Sequence, residues 1–187
     1  MDSFDAYLNG VSQLLLQLPR DDIVQVIDVL ERARAEGRRV FVFGNGGSAA
    51  TAAHLVCDLV KNTVQEGKPR FRAISLNDNM STISAYANDC GYETVFAEPL
   101  VSLAEPGDVA IGISASGNSA NVLRAMDVAQ GHGLVRIGFT GYEGGKLKDK
   151  VDVCVIVPSE DMQQIEDAHL VIAHVIFRAL RLGSVRI

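Results

Sequence analysis

From Arg39 onward, five short apolar runs alternate with stretches of helical periodicity, and this alternation constrains the fold more than any other feature. The runs are Val40–Phe43, Phe71–Leu76, Val109–Ile113, Val135–Phe139 and Val153–Val157. They are bounded by turn residues and mostly rich in β-branched side chains, as strands covered on both faces should be. The spacing predicts helices over Ser48–Lys61, Met80–Ala87, Asn118–Gly131 and Met162–Leu182, and a short one near Gly145–Lys150. Strands joined by helical crossovers make a parallel sheet with right-handed connections and helices on both faces. The expected fold class is α/β, a doubly wound five-stranded parallel sheet. Ahead of it, Leu8, Val11, Leu14, Leu15 and Leu18 keep helical spacing up to Pro19. A second helix opens at Asp21-Asp22, carries Ile23, Val26, Ile27 and Leu30 on one face, and ends near Gly37. This N-terminal helical pair is expected both to pack on the sheet domain and to mediate oligomerisation. The expected organisation is one domain over residues 1–187, with the helices in 1–38 and an α/β core in 39–187.

Charge narrows the partners. Lys and Arg number 17 against 23 Asp and Glu, a formal net charge of −6. Nucleic acid and anionic membrane surfaces need net positive fields, so neither is an expected partner. A single phosphate ester needs only a local cradle and is not excluded. Without Trp and with 6% aromatics, a stacking platform for bases is not expected either. No apolar stretch is long enough to span a bilayer, and the first residues carry acids where a signal peptide carries bases. A cytoplasmic protein is expected. Cys57, Cys90 and Cys154 are widely spaced without a C-x-x-C pair, and are expected to be buried small apolar residues in a reducing compartment.

Two strand ends are rich in Gly, Ser and Asn: Gly44-Asn45-Gly46-Gly47-Ser48 and Ser114-Ala115-Ser116-Gly117-Asn118-Ser119, each between a strand and a helix. Glycines let backbone approach an oxyanion, the helix start presents free N–H groups, and serine hydroxyls add donors without adding charge. Gly-rich βα turns also serve as plain connectors, with serine as N-cap. Gly44-x-Gly46-x-x-Ala49 formally matches a dinucleotide fingerprint, but the acidic residue expected about 20 residues later is absent, the nearest candidate, Asp78, coming much later. No Gly-Lys-Ser/Thr follows, which excludes a Walker loop. Two hydroxyl-rich loops on separate strands suit a phosphorylated small molecule held at one end. His54 and Asp58 share a helix face, and Glu166 and His174 lie about two turns apart on the last helix. Imidazole plus carboxylate suits a divalent ion such as Zn²⁺. His169, three residues after Glu166, is a rival to His174, and His132 sits in a helix-terminating turn.

Phe43-Gly44-Asn45-Gly46-Gly47-Ser48, with His54 six residues on, and Gly112-Ile113-Ser114-Ala115-Ser116-Gly117-Asn118-Ser119 resemble the sugar isomerase (SIS) domain family. The resemblance is nearest to the phosphoheptose isomerases, runs essentially the whole chain, and includes Ala87-Asn88-Asp89, Thr140–Gly145 and Gln164-Ile165-Glu166-Asp167-x-His169. It implies a flavodoxin-like strand order and conversion of sedoheptulose 7-phosphate to an aldoheptose 7-phosphate through an enediol. It also implies a homotetramer with sites between subunits. Zn²⁺ would be held by His54, Asp58, Glu166 and His174, the last keeping the family spacing. The phosphosugar would lie against Asn45, Gly46, Gly47, Ser48, Asp89, Ser114, Ser116, Asn118 and Ser119. Asp58 or Glu166 would act as base, with His174 as acid partner. Three positions depart from the family pattern: Asp58 replaces a Glu, Glu166 a Gln, and Ala115 a Thr. These departures keep two other functions open, a non-catalytic phosphosugar-binding or adaptor protein and an isomerase of another phosphosugar.

Overall fold

A computed structural model describes residues 3–183. The helical pair forms α1 (Ser3–Leu15) and α2 (Arg20–Ala35). The alternating part runs β1 (Arg39–Gly44), α3 (Gly47–Cys57), β2 (Arg72–Ser75), α4 (Met80–Cys90), α5 (Ala97–Leu103), β3 (Val109–Ile113), α6 (Ala120–Gly131), β4 (Val135–Thr140), β5 (Val153–Ile156) and α7 (Met162–Leu182). All five strands pair in parallel in the order β2-β1-β3-β4-β5, the expected doubly wound arrangement.

Strand periodicity explains the two-sided core. In β1, Val40 and Val42 face one layer and Phe41 and Phe43 the other, as alternation along a strand requires. Val109, Ile111 and Ile113 of β3 join the first layer, beneath α2 (Val26, Leu30), α3 (Leu55) and α7 (Ile165, Ile172, Ile176). Ala110 joins the second layer, with Phe96, Leu100 of α5 and Met126 of α6. Gly112 lets α6 lie close: a Cβ there would meet Val122 Cγ1 at 2.9 Å. Each Leu or Phe fully withdrawn from water contributes roughly 1.5–3 kcal/mol, so these two layers hold the strand ends that carry the Gly/Ser loops.

Several expectations are corrected. The helix predicted through Lys61 changes winding at Asp58: α3 gives way to a π-helical turn over Asp58–Asn62. Asn118 precedes α6 instead of opening it, because Ser119 holds the N-cap position. The segment after α4 forms a 3₁₀ turn, Tyr92–Thr94, and then α5. Leu8 is exposed although it follows the apolar periodicity of α1, whose one fully buried residue is Leu14. The cysteines are free, as expected, but Cys57 and Cys90 are exposed and Cys154 half-buried. Cys90 ends α4, a helix with no buried residue.

Candidate active site

Both Gly/Ser loops leave the carboxyl ends of β1 and β3, the neighbours between which the strand order reverses. That is the crevice where doubly wound sheets bind ligands. In the first loop Gly46 turns the chain at φ +54°, and α3 begins with no side-chain cap. Its first N–H groups therefore remain for an anion. Gly44 permits close approach of the two loops: a Cβ there would lie 2.8 Å from the Ile113 carbonyl oxygen. In the second loop the Ser114 and Ser119 hydroxyls are 3.0 Å apart, and α6 also starts without a side-chain cap.

Asn45, Ser48, Ser114, Ala115, Ser116 and Ser119 line a cleft of ≈ 170 Å³, with Met162 and Glu166 of α7 on its other side. Among the described residues no Lys or Arg lines it. The groups that could meet an anion here are hydroxyls and helix-start dipoles, which a charge count does not register. Asn118 serves the loop itself. Its amide donates to the Ser116 carbonyl at 2.8 Å, and its Oδ1 accepts the Lys146 N–H at 3.2 Å.

Two residues without a sequence motif hold the first loop behind the cleft. Asn121 Nδ2 donates to Asn45 Oδ1 and Asn45 Nδ2 to Asn121 Oδ1, both at 2.9 Å, while the Tyr92 hydroxyl donates to Asn45 Oδ1 at 3.0 Å. This reciprocal amide pair ties the first loop to the first turn of α6. The signal for it is periodicity: Asn121 lies four residues before the buried Ala125, on the inner face of α6, where an amide needs partners.

A second constellation lies further along the same two helices. His54 of α3, Asp58 and His174 of α7 bring one ligand atom each within 4.8 Å of one another. His54 Nε2 is 3.0 Å from His174 Nε2, and Asp58 Oδ2 is 3.5 Å from the first and 3.9 Å from the second. Asn62, from the end of the π-helical turn, donates to Asp58 Oδ1 at 2.6 Å. Asp58 Oδ2 is buried and, among the described residues, accepts no hydrogen bond. A buried carboxylate oxygen left bare between two imidazole nitrogens fits a divalent cation, which supplies the missing partner. Glu166 is not brought into this cluster: its carboxylate lies against Gly47, where a Cβ would fall 2.6 Å from Glu166 Cδ. Asp89 lies elsewhere on the chain, lining a surface hollow of α4 with Ser81, Thr82, Ala85, Tyr86 and Cys90.

The family model for the SIS domain matches residues 6–141. This chain belongs to the SIS domain family. Within the family, the phosphoheptose isomerase of Thermodesulfovibrio yellowstonii is 41% identical over 154 residues, 82% of this chain and 76% of that protein. The phosphoheptose isomerase of Aquifex aeolicus is 40% identical over 166 residues, 89% of this chain and 86% of that protein. The structure of a phosphoheptose isomerase from Francisella tularensis superposes with a TM-score of 0.90 at 29% identity, covering 97% of this chain and 100% of that one. The kinship makes this SIS chain an isomerase of the phosphoheptose isomerase branch.

His169, the rival to His174, faces the interior. It is fully buried, with Nε2 3.2 Å from the Thr140 carbonyl oxygen and Nδ1 without a partner. Burial pushes its pKa down to about 4, against the opposing pull of the Thr140 bond, so this ring is neutral in the fold. It packs against Phe139, with ring centroids 6.0 Å apart.

Proposed function

We propose that this chain interconverts sedoheptulose 7-phosphate and D-glycero-D-manno-heptose 7-phosphate as an aldose–ketose isomerase. The observation that carries the reading is the spacing of its two constellations. Ser48 precedes His54 by six residues on α3, and Glu166 precedes His174 by eight on α7. At 1.5 Å per residue, the histidines lie about 9–12 Å down the helices from the cleft. A sugar with phosphate at one end and carbonyl at the other needs this separation.

Ser48, Ser114, Ser116 and Ser119, with the N–H groups opening α3 and α6, bind the phosphate. Asn45 keeps the first loop in shape through its amide pair with Asn121. His54, Asp58 and His174 would hold the metal, with Glu166 as the fourth candidate ligand and Zn²⁺ as the proposed ion. Once bound, the ion would polarise the substrate's carbonyl and hydroxyl oxygens. Of the two carboxylates left open as base, Asp58 is the one beside the histidines. Its carboxylate takes the proton from the carbon next to the carbonyl, and His174 supplies one to the carbonyl oxygen, giving the enediol. The carboxylate then returns a proton to the neighbouring carbon while the terminal hydroxyl gives its proton to His174 and becomes the aldehyde, which restores both groups.

A homotetramer with sites between subunits is part of the proposal. None of the eleven residues of α4 is buried, and Phe4, Leu8 and Leu16 are exposed at 68%, 53% and 72%. A neighbouring copy laid on these helices would bring Asp89 to a site that its own chain does not reach. The free thiols suit a cytoplasmic, reducing location. The second reading, phosphosugar binding without turnover, draws on the shortened Asp58. Incubation of metal-loaded protein with sedoheptulose 7-phosphate separates the two. Aldoheptose phosphate is the expected product; its absence across Zn²⁺, Co²⁺ and Mn²⁺, with the sugar phosphate still bound, would establish the second reading.

A further inference from the structure

Glu166 places a negative charge inside a cleft built for an anion. Its carboxylate lies against Gly47 and shares the ≈ 170 Å³ cleft with Ser48, Ser114, Ser116 and Ser119. Among the described residues no hydrogen bond or cationic side chain holds it there. A phosphate entering this space meets a like charge at a distance where repulsion is not screened away. The same residue lies two helical turns before His174, and the His54–Asp58–His174 cluster offers three ligand atoms where a tetrahedral ion takes four.

We propose that Glu166 couples the two ends of the site: a divalent cation at the cluster draws the carboxylate away from the anion cleft and so favours phosphate binding. While the cluster is empty the carboxylate opposes phosphate. When it is filled, the opposition is relieved, and linkage requires phosphate to tighten metal binding by the same factor. The inference rests on the reading of the cleft as phosphate site and of the cluster as metal site.

The test is titration of inorganic phosphate into the full chain at one fixed pH, stripped by chelator or loaded with Zn²⁺ and freed of excess metal. The wild type is compared with Glu166→Gln and Glu166→Ala, and Zn²⁺ affinity is measured in parallel by chelator competition. In the wild type, Zn²⁺ loading is expected to tighten phosphate binding by about tenfold. Both stripped variants should already bind phosphate more tightly than the stripped wild type. Zn²⁺ should then improve them by less than about threefold, since only direct attraction between ion and phosphate remains. Equal coupling in wild type and variants would overturn the inference while leaving both sites standing. Phosphate that binds in no arm would overturn the cleft reading, and Zn²⁺ that fails to bind would overturn the cluster reading; the inference falls with either.

Discussion

Two buried polar side chains make separable predictions at the scale of the residue. His169 is neutral in the fold because burial holds its pKa near 4, against 6.5 for an unperturbed imidazole. The unfolded chain therefore takes up a proton at this site as pH falls below about 6.5, and the folded chain does not until about 4. The stability contribution is full above pH ~6.5 and is lost as pH falls from there towards 4. Between pH ~7.5 and ~5 the loss amounts to about 2 kcal/mol. Urea unfolding of wild type and His169→Gln at these two pH values measures it. The wild type should lose about 2 kcal/mol more than the variant, and parallel curves would remove His169 from the account. Asn121 answers to a different measurement. Its replacement by Ala leaves the Asn45 amide without its reciprocal partner, at a cost of about 1–3 kcal/mol. The loosened first loop should raise KM for the sugar phosphate more than it lowers kcat, which steady-state kinetics would resolve.

The π-helical turn over Asp58–Asn62 is the local feature on which the candidate metal site depends. It carries Asp58 at its start and Asn62 at its end, and the Asn62 amide fixes one carboxylate oxygen while the other stays bare. Removing that bond with Asn62→Ala should weaken Zn²⁺ binding by about tenfold or more, with the far-ultraviolet circular dichroism unchanged. Chelator competition provides the number. The helices and strands around this turn were largely legible in the sequence. Periodicity gave both ends of β3 and of α7, and Asp161 explains the sharp start of α7 by accepting the N–H groups of Gln163 and Gln164 at 3.0 and 3.1 Å. Composition did not mark α5: it is seven residues long, with Pro99 in its first turn, where proline is tolerated but hides the pattern. Nor does periodicity distinguish one π-helical turn from the α-helix it continues. The Gly/Ser loops and the His54–Asp58 pair were legible because chemistry and spacing coincide in short segments. The Asn45–Asn121 pair and the place of Glu166 were not, since each depends on two segments meeting only in the folded chain.

Across the whole molecule, the crevice at the strand ends carries the Gly/Ser cleft, α3 and α7 with the π-helical turn carry the His54–Asp58–His174 cluster, and the outer helices remain incompletely covered. Apolar side chains of α1, α2 and α7, among them Leu15, Ile23, Val24, Val175 and Leu182, line a groove of ≈ 510 Å³. Exposed Leu8 lies on α1, which is fastened to α7 by the Tyr7 hydroxyl donating to Asp167 at 2.7 Å. If these helices join copies of the chain, Leu8→Glu should leave the monomer folded, because that side chain buries little within its own chain. It should shift the assembly to smaller species in sedimentation velocity; an unchanged profile would take α1 out of the interface. At this scale the chemistry is movement of a proton between adjacent carbons of a heptose 7-phosphate. Its most direct test is nuclear magnetic resonance of sedoheptulose 7-phosphate with metal-loaded protein in D₂O. Aldoheptose 7-phosphate signals should grow with deuterium at C2, and both should be lost in Asp58→Asn. A folded, metal-loaded protein that leaves the ketose unexchanged and unconverted would contradict it.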